Sequence, residues 1–152
     1  VARLAAAGAD PPVGLVLVGW EPPDEEATEY RHQTERSVAF VVAATTDADD
    51  TVTAASTDRV AIIKAPLRAP AAAEGLAHRV ARALDVELDR LSTASDRAAV
   101  PWAIGVAVDR PEDRPDQLLR HAEAALDDAW LQGGRRVVAF DDEDRDLADP
   151  TG

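Results

Sequence analysis

Cysteine is absent from this chain, and so is methionine. Without Cys there can be no disulfide, no thiolate nucleophile and no Cys-ligated zinc. Lysine is reduced to Lys64, beside 15 Arg, and aromatics to 3 Trp, 2 Phe and 1 Tyr in 152 residues. No apolar run approaches the roughly 18 residues of a membrane helix. No signal peptide opens the chain, so a cytoplasmic location without membrane contact is expected. Positive charge is in deficit, with 16 basic against 29 acidic residues and a formal charge of -13. Such a surface repels phosphate backbones, which argues against a nucleic-acid partner. The G-x-S-x-G, P-loop and G-x-G-x-x-G fingerprints are also missing, and with them the usual hydrolase and nucleotide-binding signatures. His32, His78 and His121 lie far apart with no partner at i, i+4, the pattern of exposed helical histidines rather than of a metal site.

What is present is alanine and short aliphatic runs. Hydrophobic residues make up 46%, but 32 residues are Ala, which buries little area, so the core must rest on Val, Leu and Ile. Residues 1–9 read as the end of a helix stopped by Asp10-Pro11-Pro12. Val13 to Val18 is apolar on both faces, as in a strand buried inside a sheet. Residues 24–37 are polar almost throughout and fit an exposed helix or a loop, while 38–44 (VAFVVAA) fits a strand or a helix. Thr51 to Ala55 and Val60 to Lys64 flank the polar turn Ser56-Thr57-Asp58-Arg59 and predict a hairpin.

Leu76, Val80, Leu84 and Leu88 recur every four residues and predict an amphipathic helix over 71–88, followed by a polar connection. Trp102 to Val108 is a second buried strand. A further helix starts at Pro115-Asp116 and carries Leu118, Leu119, Ala122, Ala125, Leu126, Ala129 and Trp130 on one face. Gly133-Gly134 supplies its left-handed cap, and Val137 to Phe140 is a last strand. The chain opens on Val and reads as a fragment of something longer: one domain over 1–140, then an acidic, solvated tail at 141–152. The order β, helical region, β-hairpin, α, β, α, β makes an α/β sandwich with a mixed sheet.

With this order in place, Leu118 to Ala129 (LLRHAEAALDDA) is similar to the last helix of GGDEF domains, the diguanylate cyclase module of bacterial signalling. Trp102 to Ala107 (WAIGVA) resembles the family's SIGVA strand, and Asp50 to Ala55 (DTVTAA) its DTVAR strand. The resemblance covers nearly the whole chain. It implies a nucleotidyl-cyclase-like, palm-like fold with a central mixed β-sheet flanked by helices. It also places Ser56, Thr57, Asp58, Arg59 and Val60 at the signature Gly-Gly-Asp-Glu-Phe.

The resemblance further implies a site from which key groups are missing. Two glycines let backbone approach GTP, and Ser56 and Thr57 add side chains there. Asp58 keeps a metal-ligand position, or simply starts a hairpin turn. Arg59 reverses the charge of the essential acid. The first strand's Asp-x-Asp becomes Gly19-Trp20-Glu21, leaving Glu21 and Asp58 as the candidate metal ligands. Phosphoryl transfer needs metal ions with hard oxygen donors between phosphates. The phosphate-binding Lys and Arg align with Trp130 and Gly134. Trp130 is open to three roles: interaction anchor, filler of the former phosphate pocket, or core packing. Trp20 falls at the rim where a nucleotide would enter. The polar segment 24–37 is several residues short for the guanine-binding stretch, with no aligned Asn. The inhibitory Arg-x-x-Asp retains only Asp50, with Asp47 in the place of its Arg. A calcium-loop reading of the acidic run from Asp47 fails because its sixth position, Val52, is not Gly.

The expectation is therefore a domain that has lost turnover, with no catalytic residue and no cofactor of its own. Mg²⁺ and GTP belong only to an active relative. It would serve as a regulatory, protein-interaction or dimerisation module, with other domains of a longer chain as partners and a homodimer open. The alternatives are a receptor for GTP or cyclic di-GMP, and residual diguanylate cyclase activity.

Overall fold

Seven consecutive buried residues, Gly14 to Trp20, leave no face of the first strand for water, and the chain surrounds it accordingly. The computed structural model describes residues 12–109 and 114–140. The expected opening helix end and the acidic tail fall outside these. The elements are β1 (Gly14–Trp20), α1 (Thr28–Thr45), β2 (Asp50–Ser56), β3 (Arg59–Lys64), α2 (Pro70–Ser95), β4 (Trp102–Val108), α3 (Pro115–Leu131) and β5 (Val137–Ala139). They form one five-stranded sheet in the order β2-β3-β1-β4-β5, with β1 at its centre. β1 runs antiparallel to β3 and β4, while β5 joins β4 in parallel, so the sheet is mixed as expected.

The strand period of two sorts the core. Val16 and Val18 face α1 and α2 in one apolar cluster, and Leu15 and Leu17 face α3 in another. The ambiguous stretches at 24–37 and 38–44 resolve into one helix from Thr28 to Thr45. Its buried residues Tyr30, Thr34, Ser37, Val38, Val41 and Val42 follow helical spacing, although half of them are polar. The Thr34 hydroxyl donates to the Tyr30 carbonyl at 2.7 Å, so its burial leaves no group unpaired.

The second helix corrects the sequence reading. It continues beyond Leu88 to Ser95, because Leu91 prolongs the buried stripe through otherwise polar sequence. Asp96, at φ 52°, ends it in the left-handed region. In α3 the buried stripe is Ala122, Ala125, Leu126 and Ala129, with Leu118 packed beside it. Leu119, expected on that face, is 44% exposed. At about 100° per residue, Leu119 and Trp130 both fall roughly 80° from the centre of the stripe. At its end the Gly134 and Gly133 N–H groups donate to the Ala129 and Trp130 carbonyls at 2.9 and 3.0 Å. Both glycines have positive φ, 108° at Gly133 and 74° at Gly134, the geometry of a Schellman cap.

α3 lies so close to the sheet that β4 has no room for a side chain at Gly105. A Cβ there would collide with the Ala122 carbonyl oxygen and the Leu126 backbone nitrogen, and would sit 2.9 Å from Leu126 Cα. Backbone cannot yield as a flexible side chain can. Gly105→Ala is therefore expected to cost about 3 kcal/mol and to lower Tm by about 10 °C. Gly75, inside α2, would meet only the Arg79 guanidinium at 3.7 Å, so Gly75→Ala should instead gain about 0.5–1 kcal/mol of helix propensity. Thermal melts followed by circular dichroism check both signs; equal effects would refute the close-packing argument.

Candidate functional site

The C-terminal end of β1, the hairpin turn and the last turn of α3 meet at one end of the strands. Register pairs Gly19 with Arg59 across β1 and β3. The Trp20 N–H donates to the Asp58 carbonyl at 3.1 Å, which ties the turn to the strand end. The Glu21 N–H donates to the Pro101 carbonyl at 2.9 Å, fixing the chain where it leaves the sheet. From α3, Leu126 and Trp130 close the third side. A Cβ built on Gly19 would stand 3.3 Å from Leu126 Cδ2 and 3.7 Å from Trp130 Nε1. Any side chain at position 19 would thus share its space with the indole.

Between these elements is a cavity of about 250 Å³ lined by Gly19, Trp20, Glu21, Pro22, Asp58, Arg59 and Trp130. Most of the residues singled out in the sequence therefore come together, from three separate segments. Four of them, Ser56, Thr57, Val60 and Gly134, do not line it. Ser56 and Thr57 are exposed on the hairpin tip and are not part of the cavity lining; β2, which leads into that tip, is an edge strand. Gly134 lies behind the Trp130 ring; a Cβ there would be 3.2 Å from Trp130 Cζ3. It supports the indole rather than forming a wall. Val60, the last signature position, packs half-buried against the α1–α2 side of the core. Trp20, expected at the rim, is buried in the same core and contributes to the cavity wall.

Two carboxylates, one guanidinium and two tryptophans line this cavity and give it its chemistry. Asp58 Oδ1 accepts a hydrogen bond from the Ser56 hydroxyl at 2.8 Å, an arrangement that serves the turn. Arg59 reaches across to Glu123 on α3 at 3.8 Å, with both side chains partly exposed. An ion pair of that kind is worth at most about 1 kcal/mol, so Arg59 can be redirected cheaply. Among the described residues no group of three His, Cys, Asp or Glu side chains is placed to hold a metal ion. A second hollow of about 310 Å³ shares Glu21 and Pro22 with the first and extends to Tyr30 and Arg97. There the Tyr30 hydroxyl donates to the Ala98 carbonyl at 2.9 Å, and the Arg97 guanidinium stands over the Tyr30 ring at 5.5 Å. Burial raises the Tyr30 phenol above its ordinary range, against the smaller opposing effects of Ser92 and Arg97.

Asp50, at the position of the inhibitory motif, is committed within the chain. Its side chain is 1% exposed, and the Lys64 ammonium donates to Oδ1 at 3.1 Å. The Asp47 N–H donates to Oδ2 at 3.0 Å. Asp47 also approaches Lys64, at 3.8 Å. The histidines divide: His32 and His78 are exposed as expected. His121 is half-buried and stacks on Phe140 at 3.9 Å, because β5 brings Phe140 back over α3.

The sequence reading missed Arg135. It adopts φ 53° just after the glycine cap and holds Asp85 and Asp89 of α2 at 2.7 and 2.9 Å. Hydrogen bonding to Asp85 is the main cause that shifts its guanidinium further toward the charged form. The signal available was the i, i+4 spacing of Asp85 and Asp89.

Neither a protein-family model nor a curated protein matches this sequence. Solved structures do. The GGDEF domain of TpbB (YfiN) from Pseudomonas aeruginosa is similar with a TM-score of 0.71 and 20% identity, over 97% of this chain and 87% of that one. An EAL/GGDEF domain protein from M. capsulatus gives 0.68 and 21%, over 91% and 93%. Diguanylate cyclase SiaD from Pseudomonas aeruginosa, solved with its activator SiaC, gives 0.70 and 18%, over 90% and 52%. At these identities the likeness establishes the fold: the chain has the fold of the GGDEF domains of diguanylate cyclases.

Burial pulls the Asp50 carboxyl upward, but the Asp47 backbone N–H and the Lys64 ammonium outweigh it and hold it below the usual carboxylate range. A group depressed in this way adds stability above its unfolded value, near pH 4. That contribution is lost as pH falls through the folded value. Asp50→Asn should therefore cost about 2 kcal/mol at pH 7. Its deficit against the parent chain should narrow as pH drops well below 4. Urea titrations at neutral and acid pH measure the gap, and a gap independent of pH would contradict the assignment.

Proposed function

We propose that this chain is a catalytically inactive GGDEF-like domain, retained as a regulatory and protein-interaction module of a bacterial signalling protein. The observation that carries this reading is the lining of the cavity at the end of β1. Arg59 and Trp130 stand there beside Asp58 and Glu21, opposite a glycine at position 19.

A divalent ion bridging phosphates asks for several hard oxygen ligands around it. The residues present do not fit that group. Two carboxylates are left, one of them already accepting the Ser56 hydroxyl, and the neighbouring guanidinium repels a cation. The position of the phosphate-binding lysine carries an indole, which can neither donate to several oxygens nor neutralise their charge. No catalytic step is assigned to any residue of the chain. A role through partners is supported by SiaD, a diguanylate cyclase solved with its activator SiaC. Association with neighbouring domains or with a second copy belongs to the same reading.

Purified protein incubated with GTP and Mg²⁺ or Mn²⁺ is expected to release no cyclic di-GMP by chromatography, and sustained turnover would overturn the proposal. Calorimetric titration with GTP should show no binding tighter than roughly 1 mM, about -4 kcal/mol. Micromolar affinity would favour the receptor alternative instead.

A further inference from the structure

The outer side of the α1–α2 layer, away from the sheet, carries the most exposed large apolar side chains among the described residues apart from Leu131. Phe40 on α1 is 66% exposed and Val86 on α2 is 70% exposed. They border a hollow of about 500 Å³ between the two helices, floored by Ala44 and Ala83 and flanked by Arg79 and Arg82. Beyond Phe40 the hollow continues into another of about 400 Å³, flanked by Arg36 and Arg90. The result is a groove along α1 from Gln33 to Ala44, apolar around Phe40 and Val86 and polar toward Gln33, Ser37 and Ser95, about 17 Å of helix at 1.5 Å per residue.

Charge decides what could lie in it. Among the described residues four arginines flank the groove and Glu87 is the one acid in its lining, although Arg36 is paired with Glu29 of α1 at 3.3 Å, which leaves Arg79 and Arg82 as the uncompensated charges. Glu87 is already held by Arg90 at 2.6 Å. Among the described residues neither Arg79 nor Arg82 has an acidic partner. This concentration of positive charge sits on a chain whose formal charge is -13, so the groove is opposite in sign to the surface around it. A second copy presenting the same face would set arginines against arginines across a twofold axis, which disfavours self-association here. The groove runs between helices and presents no strand edge, so an extended peptide would find no backbone ladder in it.

We propose that the α1–α2 groove is a docking site for an acidic amphipathic helix of a partner protein. Leucine-type side chains at i, i+3, i+4 and i+7 would fill the space around Phe40 and Val86. Glutamate or aspartate on the flanks would meet Arg79, Arg82 and Arg36. The inference concerns a surface remote from the β1 cavity residues and holds whether or not that cavity turns over GTP.

The test uses the whole chain and a fluorescein-labelled synthetic helix of about 14 residues, with Leu at those positions and Glu elsewhere. Fluorescence anisotropy at low salt is expected to show saturable binding. Replacing every Glu of the probe by Lys should abolish it. Arg79→Glu with Arg82→Glu, and separately Phe40→Ser, should each weaken binding about tenfold or more. These positions are exposed, and unchanged circular dichroism melts confirm that the variants fold. Absence of binding, equal binding of the Lys probe, or indifference to the variants would overturn the proposal. So would binding that appears only after residues 141–152 are deleted, which would make the chain's own acidic tail the occupant. A concentration-dependent dimer broken by Arg79→Glu, or binding to phosphatidylserine vesicles but not to the probe, would overturn it in favour of a second copy or a membrane.

Discussion

The approach of α3 to β4 at Gly105 governs the rest of this structure. With no Cβ at that position, the backbone of Ala122 and Leu126 can lie against the strand. The height of α3 above the sheet is then set by main chain, not by side-chain packing. From that height follows the run of small residues Ala122, Ala125 and Ala129 on its buried stripe. The contact of Leu126 with Gly19 follows as well. Trp130, off the centre of the stripe, packs half-buried at the margin of the α3-side core and over the end of β1, where it closes a cavity. A glycine on one strand thus decides what a tryptophan far along the chain can do.

The two polar arrangements near the hairpin differ in how firmly they are held. Asp50 is buried and held by a backbone N–H and an ammonium, so its charge is part of the fold. Arg59 touches Glu123 at 3.8 Å on a half-exposed surface, where solvent screening leaves little energy in the contact. Groups of the first kind define the hairpin, and those of the second kind can adapt to a ligand or partner. The α1–α2 groove belongs with the second: exposed apolar side chains, and Arg79 and Arg82 with no acidic partner among the described residues, cost little to rearrange and gain most by being covered.

Legibility in the sequence followed how unmixed each pattern was. β1 and β4 could be read because both faces are apolar, and the hairpin because a polar turn separates two β-prone runs. The first half of α1 could not, since Tyr30, Thr34 and Ser37 are buried on a helix whose sequence is polar. Thr34 makes its hydrogen bond inside the helix and Tyr30 to a distant carbonyl, which no local pattern announces. The last turns of α2 were lost for a similar reason, with Leu91 as the single apolar marker. Leu119 was misassigned because helical spacing gives the width of an apolar stripe but not the direction from which the sheet approaches it. Among the site residues, Asp58, Arg59, Glu21 and Trp130 could be named from the sequence. That Ser56 and Thr57 stay outside the cavity lining, and that Gly134 props the indole, could not.

By itself the sequence determined the composition-bound facts: no thiol chemistry, an acidic surface, two doubly buried strands and the caps that end α3. These rest on residue identity and near-neighbour spacing, which folding does not alter. The tertiary structure alone decided which distant residues meet. It brought Gly19, Asp58 and Trp130 around one cavity, Arg135 onto Asp85 and Asp89, and Phe40 beside Val86. Each of those meetings depends on the sheet order and on the distance between layers, quantities set by backbone packing and carried by no single segment of the chain.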